Sequence, residues 1–222
     1  MNGTDKTGVT TVDLVEALES PRGRGDFLKS LGVGGAAIVG AAVLNGAPIA
    51  AMAAGPTRVP ASDIAILNYA LTLEHLEADF YATAIKLVPF EQTSVRELAH
   101  TLRHDENTHV AALTAAIRQL GGTPVAAARV YDFGTLTFTT QSGFLKLAEA
   151  LEDTGVHAYL GAAGLIKTPS ILLTAASILT VEARHAGAIR YQFGLPPTVA
   201  PFDTGLSMQQ VLAIAGPFIK TM

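Results

Sequence analysis

Leu151-Glu152-Asp153-Thr154-Gly155-Val156-His157-Ala158-Tyr159, followed by Glu182-Ala183-Arg184-His185, decides the reading of this chain. The same pattern occurs earlier, as Leu73-Glu74 with Tyr81, and then Glu106-Asn107-Thr108-His109. Glu74 and Glu106 stand 32 positions apart, Glu152 and Glu182 30 apart. A lone Glu-x-x-His is a weak signal. The ordered set, repeated at near-equal spacing, is a specific one. Residues three or four apart share a helical face, so each Glu-x-x-His can direct two side chains at one place.

Working outward, each of these segments lies in a stretch with helical periodicity. From Ser62, a cap, and Asp63, in the first turn, to about Leu87 there is no Pro or Gly, and Leu67, Leu71, Ala78 and Ile85 recur at helical spacing. Pro89 ends this helix, Thr93 or Ser94 caps a second, and Gly121-Gly122 stops it after Leu120. Its stripe is Leu98, Leu102, Leu113 and Leu120. Residues 121–141 are rich in Gly and Thr without helical period, and Thr135–Thr139 reads as briefly extended. Ser142 opens a third helix ending near Lys167. Thr168 and Pro169 start a fourth at once, and it runs to about Phe193. A short last helix covers Ser207 to Ile219. Two short turns and one long connection predict an all-α four-helix bundle with a long crossover between helices two and three, plus a short C-terminal helix.

Glu74, Glu106, Glu152 and Glu182 all fall in register with apolar stripes. A carboxylate buried alone costs several kcal/mol unless neutralised. Two histidines do not suffice for four carboxylates, and Arg103 and Arg184 lie out of register with the core. Two divalent metals would supply the missing charge. Oxygen and imidazole donors suit iron or manganese, and one Glu plus one Glu-x-x-His from each helix pair is the ligand set of dinuclear carboxylate bundles. The predicted ligands are therefore Glu74, Glu106, His109, Glu152, Glu182 and His185, holding two iron ions or, alternatively, two manganese ions. Glu77 and Glu149, each three positions from a predicted ligand, are further candidates, though their repeat partners are Gly155 and Leu71. His100 and His104 project away from the Glu106 face and read as surface. His75 and His157 read as structural, Asp105 and Arg103 as surface charges.

With these residues in view, the chain resembles the ferritin-like superfamily, in particular exported ferritin-like domain proteins related to desiccation-associated proteins. The resemblance covers roughly residues 62–194, with Met208-Gln209-Gln210-Val211-Leu212 and Pro217-Phe218 also similar. It implies that Glu74 and Glu152 take one ligand role and that Glu106, His109, Glu182 and His185 take the other. Tyr81 and Tyr159 match tyrosines lining such sites and are the candidate catalytic residues. The implied activity is oxidation of ferrous iron or consumption of peroxide, with dioxygen or peroxide as partner. The alternative is a non-catalytic protein that sequesters metal or protects against drying. A homo-oligomer is compatible with either.

The rest of the chain narrows the setting. Of 222 residues, 49% are hydrophobic and 15% charged, with net charge -4, so a sizeable core is available and nucleic acid has no basic face to meet. Cysteine is absent, which excludes disulfides, thiolate metal sites and cysteine nucleophiles. Residues 1–55 read as an export leader: Arg22, Arg24 and Lys29, an uncharged run from Leu31 to Gly55, and Ala51-Met52-Ala53 as a cleavage site. Arg24-Gly25-Asp26-Phe27-Leu28-Lys29 resembles a twin-arginine signal in which Gly25 replaces the second arginine. Glycines and Pro48 make the run a poor membrane anchor, and no stable span is expected after leader removal. Residues 56–61 are a linker, 62–194 the bundle and 195–222 a C-terminal extension. The expected location is periplasmic, extracellular or cell-envelope.

Overall fold

A computed structural model describes residues 62–220 and the two-residue strands β1 (Val43–Leu44) and β2 (Ala47–Pro48), which pair antiparallel. Apart from that ladder, the predicted leader and linker lie outside the described residues. The helices are α1 (Asp63–Leu87), α2 (Thr93–Gln119), α3 (Gln141–Ala163), α4 (Pro169–Gln192) and α5 (Met208–Ala215), with strands β3 (Val130–Tyr131) and β4 (Ile219–Lys220). The expected all-α bundle is present. Short turns join α1 to α2 and α3 to α4, and the two hairpins meet with α1 against α3 and α2 against α4. Among the described residues no helix is long and apolar enough to cross a membrane.

Local chemistry explains the boundaries. Ser62 is extended and its Oγ accepts from Ala65 N at 3.2 Å, capping α1 as expected. Asp63 does more than favour the first turn: its carboxylate accepts from Lys167 N and Thr168 N, both at 2.9 Å, and so holds the α3–α4 turn against the start of α1. Thr168 occupies the cap position of α4 without a side-chain cap bond, and Pro169 follows it. Neither Thr93 nor Ser94 caps α2. Gln92 is the cap residue, and Oε1 of the buried Gln141 accepts from Glu91 N and Gln92 N at 3.0 Å each. The cap of α3 is Thr140 rather than Ser142, accepting from Gly143 N, and α3 ends at Ala163, short of Lys167.

Two other expectations are corrected. Thr135–Thr139 forms turns, and the extended piece of the crossover is Val130–Tyr131, because its strand partner is the distant tail segment Ile219–Lys220. The last helix stops at Ala215. Gly216–Phe218 then tightens into a 3₁₀ turn before β4. Ser207 and Gln210 form a capping box at the start of α5. Phe133 in the crossover is buried, with its ring against Phe80, Phe138 and Phe218. The long connection is thus held by an aromatic cluster and a strand pair, which is the reason such a length is tolerated.

The buried apolar side chains form two clusters. One contains Leu73, Phe80, Tyr81, Leu102, Phe144, Leu151 and Ile189. The other contains Leu67, Leu71, Leu113, Ile117, Tyr159 and Ile178. On α2 the sequence runs from Leu102 through Glu106 and His109 to Leu113, and on α4 from Ile178 through Glu182 and His185 to Ile189. The predicted ligands therefore form a polar layer between two apolar ones. Leu120, expected in the α2 stripe, is exposed because the helix has ended there, and Ala78 and Ile85 are only half-buried.

The C-terminal extension crosses α3 where two glycines meet. A Cβ on Gly161 would lie 1.8 Å from the Leu206 carbonyl oxygen, and one on Gly205 would lie 2.8 Å from Gly161 Cα. Leu206 N donates to His157 O at 2.9 Å across the same contact. Replacing Gly161 by alanine forces the tail off the helix against this backbone, and overpacking of this kind costs about 1–3 kcal/mol. A lowered melting temperature for Gly161→Ala is the expected outcome in thermal denaturation; an unchanged or raised one would show that the tail is not pinned there.

Candidate metal centre

Each carboxylate comes from a different helix: Glu74 from α1, Glu106 from α2, Glu152 from α3 and Glu182 from α4, with His109 and His185 one turn beyond the second and fourth. All six predicted ligands are buried, the four glutamates completely. They converge into two groups, Glu74, Glu106, His109 and Glu182, and Glu106, Glu152, Glu182 and His185. Within each group one ligand atom per residue lies within 4.8 Å of all the others. Glu106 and Glu182 belong to both.

The atoms show how the sharing works. His109 Nδ1 lies 3.2 Å from Glu74 Oε2, 3.0 Å from Glu106 Oε2 and 3.0 Å from Glu182 Oε1. His185 Nδ1 lies 3.0 Å from Glu106 Oε1, 3.2 Å from Glu152 Oε2 and 3.5 Å from Glu182 Oε2. Each shared glutamate thus turns one oxygen toward each histidine. The two imidazole rings stand 6.2 Å apart between centroids. An Nδ1–H can be aimed well at only one of three oxygens. Accordingly Glu106 Oε1 and both Glu182 oxygens are buried without a hydrogen-bond partner. A nitrogen lone pair and three carboxylate oxygens converging on one point form a donor set able to hold a cation.

The tyrosines complete a crossed arrangement. Tyr81 of α1 donates its hydroxyl to Glu152 Oε1 on α3, and Tyr159 of α3 donates to Glu74 Oε1 on α1. Each helix pair therefore orients the outer carboxylate of the other, and neither tyrosine is merely a core aromatic. The structure also recovers a residue that sequence reasoning placed at the surface. Asp105 Oδ2 lies 3.2 Å from His185 Nε2, the nitrogen turned away from the cluster. Such a contact fixes the ring and its tautomer. No spacing rule could have found it, because the pair bridges α2 and α4.

The remaining candidates separate cleanly. Glu149 lies 3.2 Å from the Nε of Arg190, a buried cation that also bonds Asp153, and is thereby taken out of the metal layer. Arg190 was not anticipated, and its charge answers these two carboxylates rather than the cluster. Glu77 is buried beside the cluster, with Oε2 unpartnered. His100, His104 and Arg103 are exposed. His75 and His157 are structural, meeting the Val125 and Thr204 carbonyls.

Electrostatics follow from the crowding. Burial, joined by the charge of Glu182, pushes Glu74 well up. Burial with Glu182 and Glu152 does so for Glu77, and burial with Glu106 for Glu152. Burial would lower His109, but Glu106, Glu182 and Glu74 outweigh it and push it up to about 12. His185 is likewise raised, against burial, by Glu106, Glu152 and Glu182. Burial would raise Glu182, yet the two histidines draw it down to about 2. Burial and the adjoining carboxylates raise both tyrosines.

The sign of the pH dependence is fixed by these directions. Groups raised in the native state bind more protons folded than unfolded, so their stabilisation is complete below the unfolded values, 4.5 for Glu and 6.5 for His, and fades above them. Glu182 acts oppositely, its contribution being lost only as pH falls below the ordinary carboxylate range toward about 2. Chelator-treated protein should therefore melt at progressively lower temperature as pH rises from about 5 to about 8. Manganous or ferrous ion should reverse that trend, because metal binding releases the same protons. A melting temperature that rises with pH in chelator would contradict the assignment of these protons to the cluster.

Comparisons with known proteins agree with the architecture. A solved structure of a conserved hypothetical protein, rv2844, from Mycobacterium tuberculosis is similar with a TM-score of 0.54 and 23% identity. The match covers 63% of this chain and 96% of that one, and it speaks for the fold alone. No curated protein matches the chain. The family model for the ferritin-like domain matches residues 62–195. That span takes in all four bundle helices and every residue of the buried Glu/His cluster, and the chain belongs to the ferritin-like domain family.

Proposed function

We propose that this chain is an exported dinuclear-metal carboxylate protein that binds two iron ions, or alternatively two manganese ions, and oxidises ferrous iron or consumes peroxide. The observation that carries the reading is the pair of Nδ1 atoms, each facing three carboxylate oxygens of which several have no hydrogen-bond partner. Four ionised glutamates match the charge of two divalent cations with both imidazoles neutral. The composition of the leader, outside the described residues, supports export.

In this reading Glu106 and Glu182, which belong to both groups, would serve both positions. Glu74 and His109 complete one position, and Glu152 and His185 the other. Bound there, a metal pair would supply a change of oxidation state for reaction with dioxygen or peroxide. The chain's own part is to hold and shield. Tyr159 and Tyr81 keep Glu74 and Glu152 oriented by donating to their outer oxygens. Their phenols, bonded to these carboxylates, support the role of catalytic residues expected from the sequence. Asp105 holds the His185 ring with Nδ1 inward. The apolar layers above and below exclude bulk water, and the two histidines are slightly more exposed than the four glutamates. Complete burial of the four glutamates also suits the second reading, sequestration of metal without turnover.

Elemental analysis of the purified chain, beside a Glu106→Ala, Glu182→Ala double variant, tests the site. About two equivalents of iron or manganese per chain are expected, with nearly all lost in the variant. Dioxygen or peroxide consumption by the loaded protein then separates turnover from sequestration. Failure to retain metal, or to take it up from excess ferrous or manganous ion, would sink the proposal.

A further inference from the structure

We infer that Glu77 is a seventh protein ligand, serving the position of Glu152 and His185 and making the two metal positions unequal. The inference rests on the dinuclear reading and adds a residue that the repeated motif does not contain. Glu77 lies one turn beyond Glu74 on α1 and is only 3% exposed. Its Oε2 is buried without a hydrogen-bond partner, and among the described residues no ion pair reaches it. A carboxylate held this way at the edge of a cation site, with no protein cation to answer it, lacks a structural reason for being there.

The residue opposite supplies the room. Gly155 stands three positions after Glu152, as Glu77 stands three after Glu74, so the internal repeat puts a carboxylate on α1 where α3 has no side chain at all. A Cβ on Gly155 would meet Glu77 Oε1 at 3.5 Å and Glu182 Oε2 at 3.6 Å. The space above the glycine is thus bordered by both carboxylates, and Glu182 Oε2 is the oxygen turned toward His185. Glycine is disfavoured inside a helix relative to alanine, and here it keeps open the space beside Glu77. The Glu77 oxygens lie outside the two converging groups. Rotation of the carboxylate into the space over Gly155 would carry it toward Glu182 Oε2, the oxygen turned to His185, and among the cluster's charges Glu182 and Glu152 act on Glu77 more strongly than Glu74 does. The Glu152–His185 position then has Glu106, Glu152, Glu182 and Glu77 as carboxylate donors, one more than its counterpart. It fills first.

The test is anaerobic calorimetric titration of the chelator-treated full chain with manganous ion, followed in parallel by manganese electron paramagnetic resonance, for the wild type and Glu77→Gln. Glutamine keeps the shape and removes the buried charge, and a melting curve in chelator checks that the variant is folded. The wild type is expected to take up two equivalents in unequal steps. In Glu77→Gln the tighter step should weaken roughly 10-fold or more while the weaker one stays within about 2-fold, on the scale typical of lost metal-site interactions. Two equivalents bound by the variant with both affinities unchanged, or both reduced alike, would overturn the role of Glu77 and leave the dinuclear site standing. Failure of the wild type to bind manganese or ferrous ion would overturn the dinuclear reading, and this inference with it.

Discussion

The structure depends on one constraint: four glutamates are buried completely in the middle of a helical bundle, and their charge must be answered there. Water cannot reach them, and among the described residues the only buried arginine is engaged with Glu149 and Asp153. Among the described residues the answer is two imidazoles, each placed where three carboxylate oxygens meet. As proton donors these rings serve the surrounding oxygens poorly, since one N–H cannot satisfy three acceptors. As lone-pair donors beside cations they serve all of them at once. The same geometry that looks over-crowded as a hydrogen-bond network is well formed as a coordination shell.

That layer divides the bundle into two apolar clusters and also ties its halves together. The shared glutamates come from α2 and α4, one from each hairpin, so both hairpins must be docked for either position to form. The tyrosines strengthen this dependence by crossing between α1 and α3. Docking energy, site geometry and charge balance are therefore coupled, and loss of one weakens the others. The elements that close the bundle outside the layer act locally. Asp63 answers the start of α4, Gln141 the start of α2, and the tail pairs with the crossover through β3 and β4.

The near-twofold repeat is broken at positions that touch the cluster. His185 has Asp105 behind it, whereas the residue matching Asp105 in the other half is Val181. Glu77 faces Gly155, a glycine where symmetry would put its counterpart. The two converging groups, each of three glutamates and one histidine, thus have different surroundings.

Helix number, the long crossover and the six residues of the buried Glu/His cluster were legible in the amino-acid sequence because they depend on periodicity and local order: Leu102 to Glu106 to His109 is one helical face whatever the helix packs against. Which glutamates are shared was not legible, since that depends on where four separate helices bring their oxygens. Asp105 and Arg190 were misread or missed for the same reason; their partners lie on other helices, and a charged residue near a helix surface looks the same with or without one. The crossover strand escaped notice because Val130–Tyr131 is extended only against Ile219–Lys220, nearly ninety positions away. Caps failed where a distant side chain replaced the local one, as Gln141 does at α2. Sequence by itself determined the elements and the chemistry each one carries, because those are set by neighbours along the chain. Tertiary structure alone decided the pairing of donors across helices, because convergence in space is a property of packing and leaves no periodic trace.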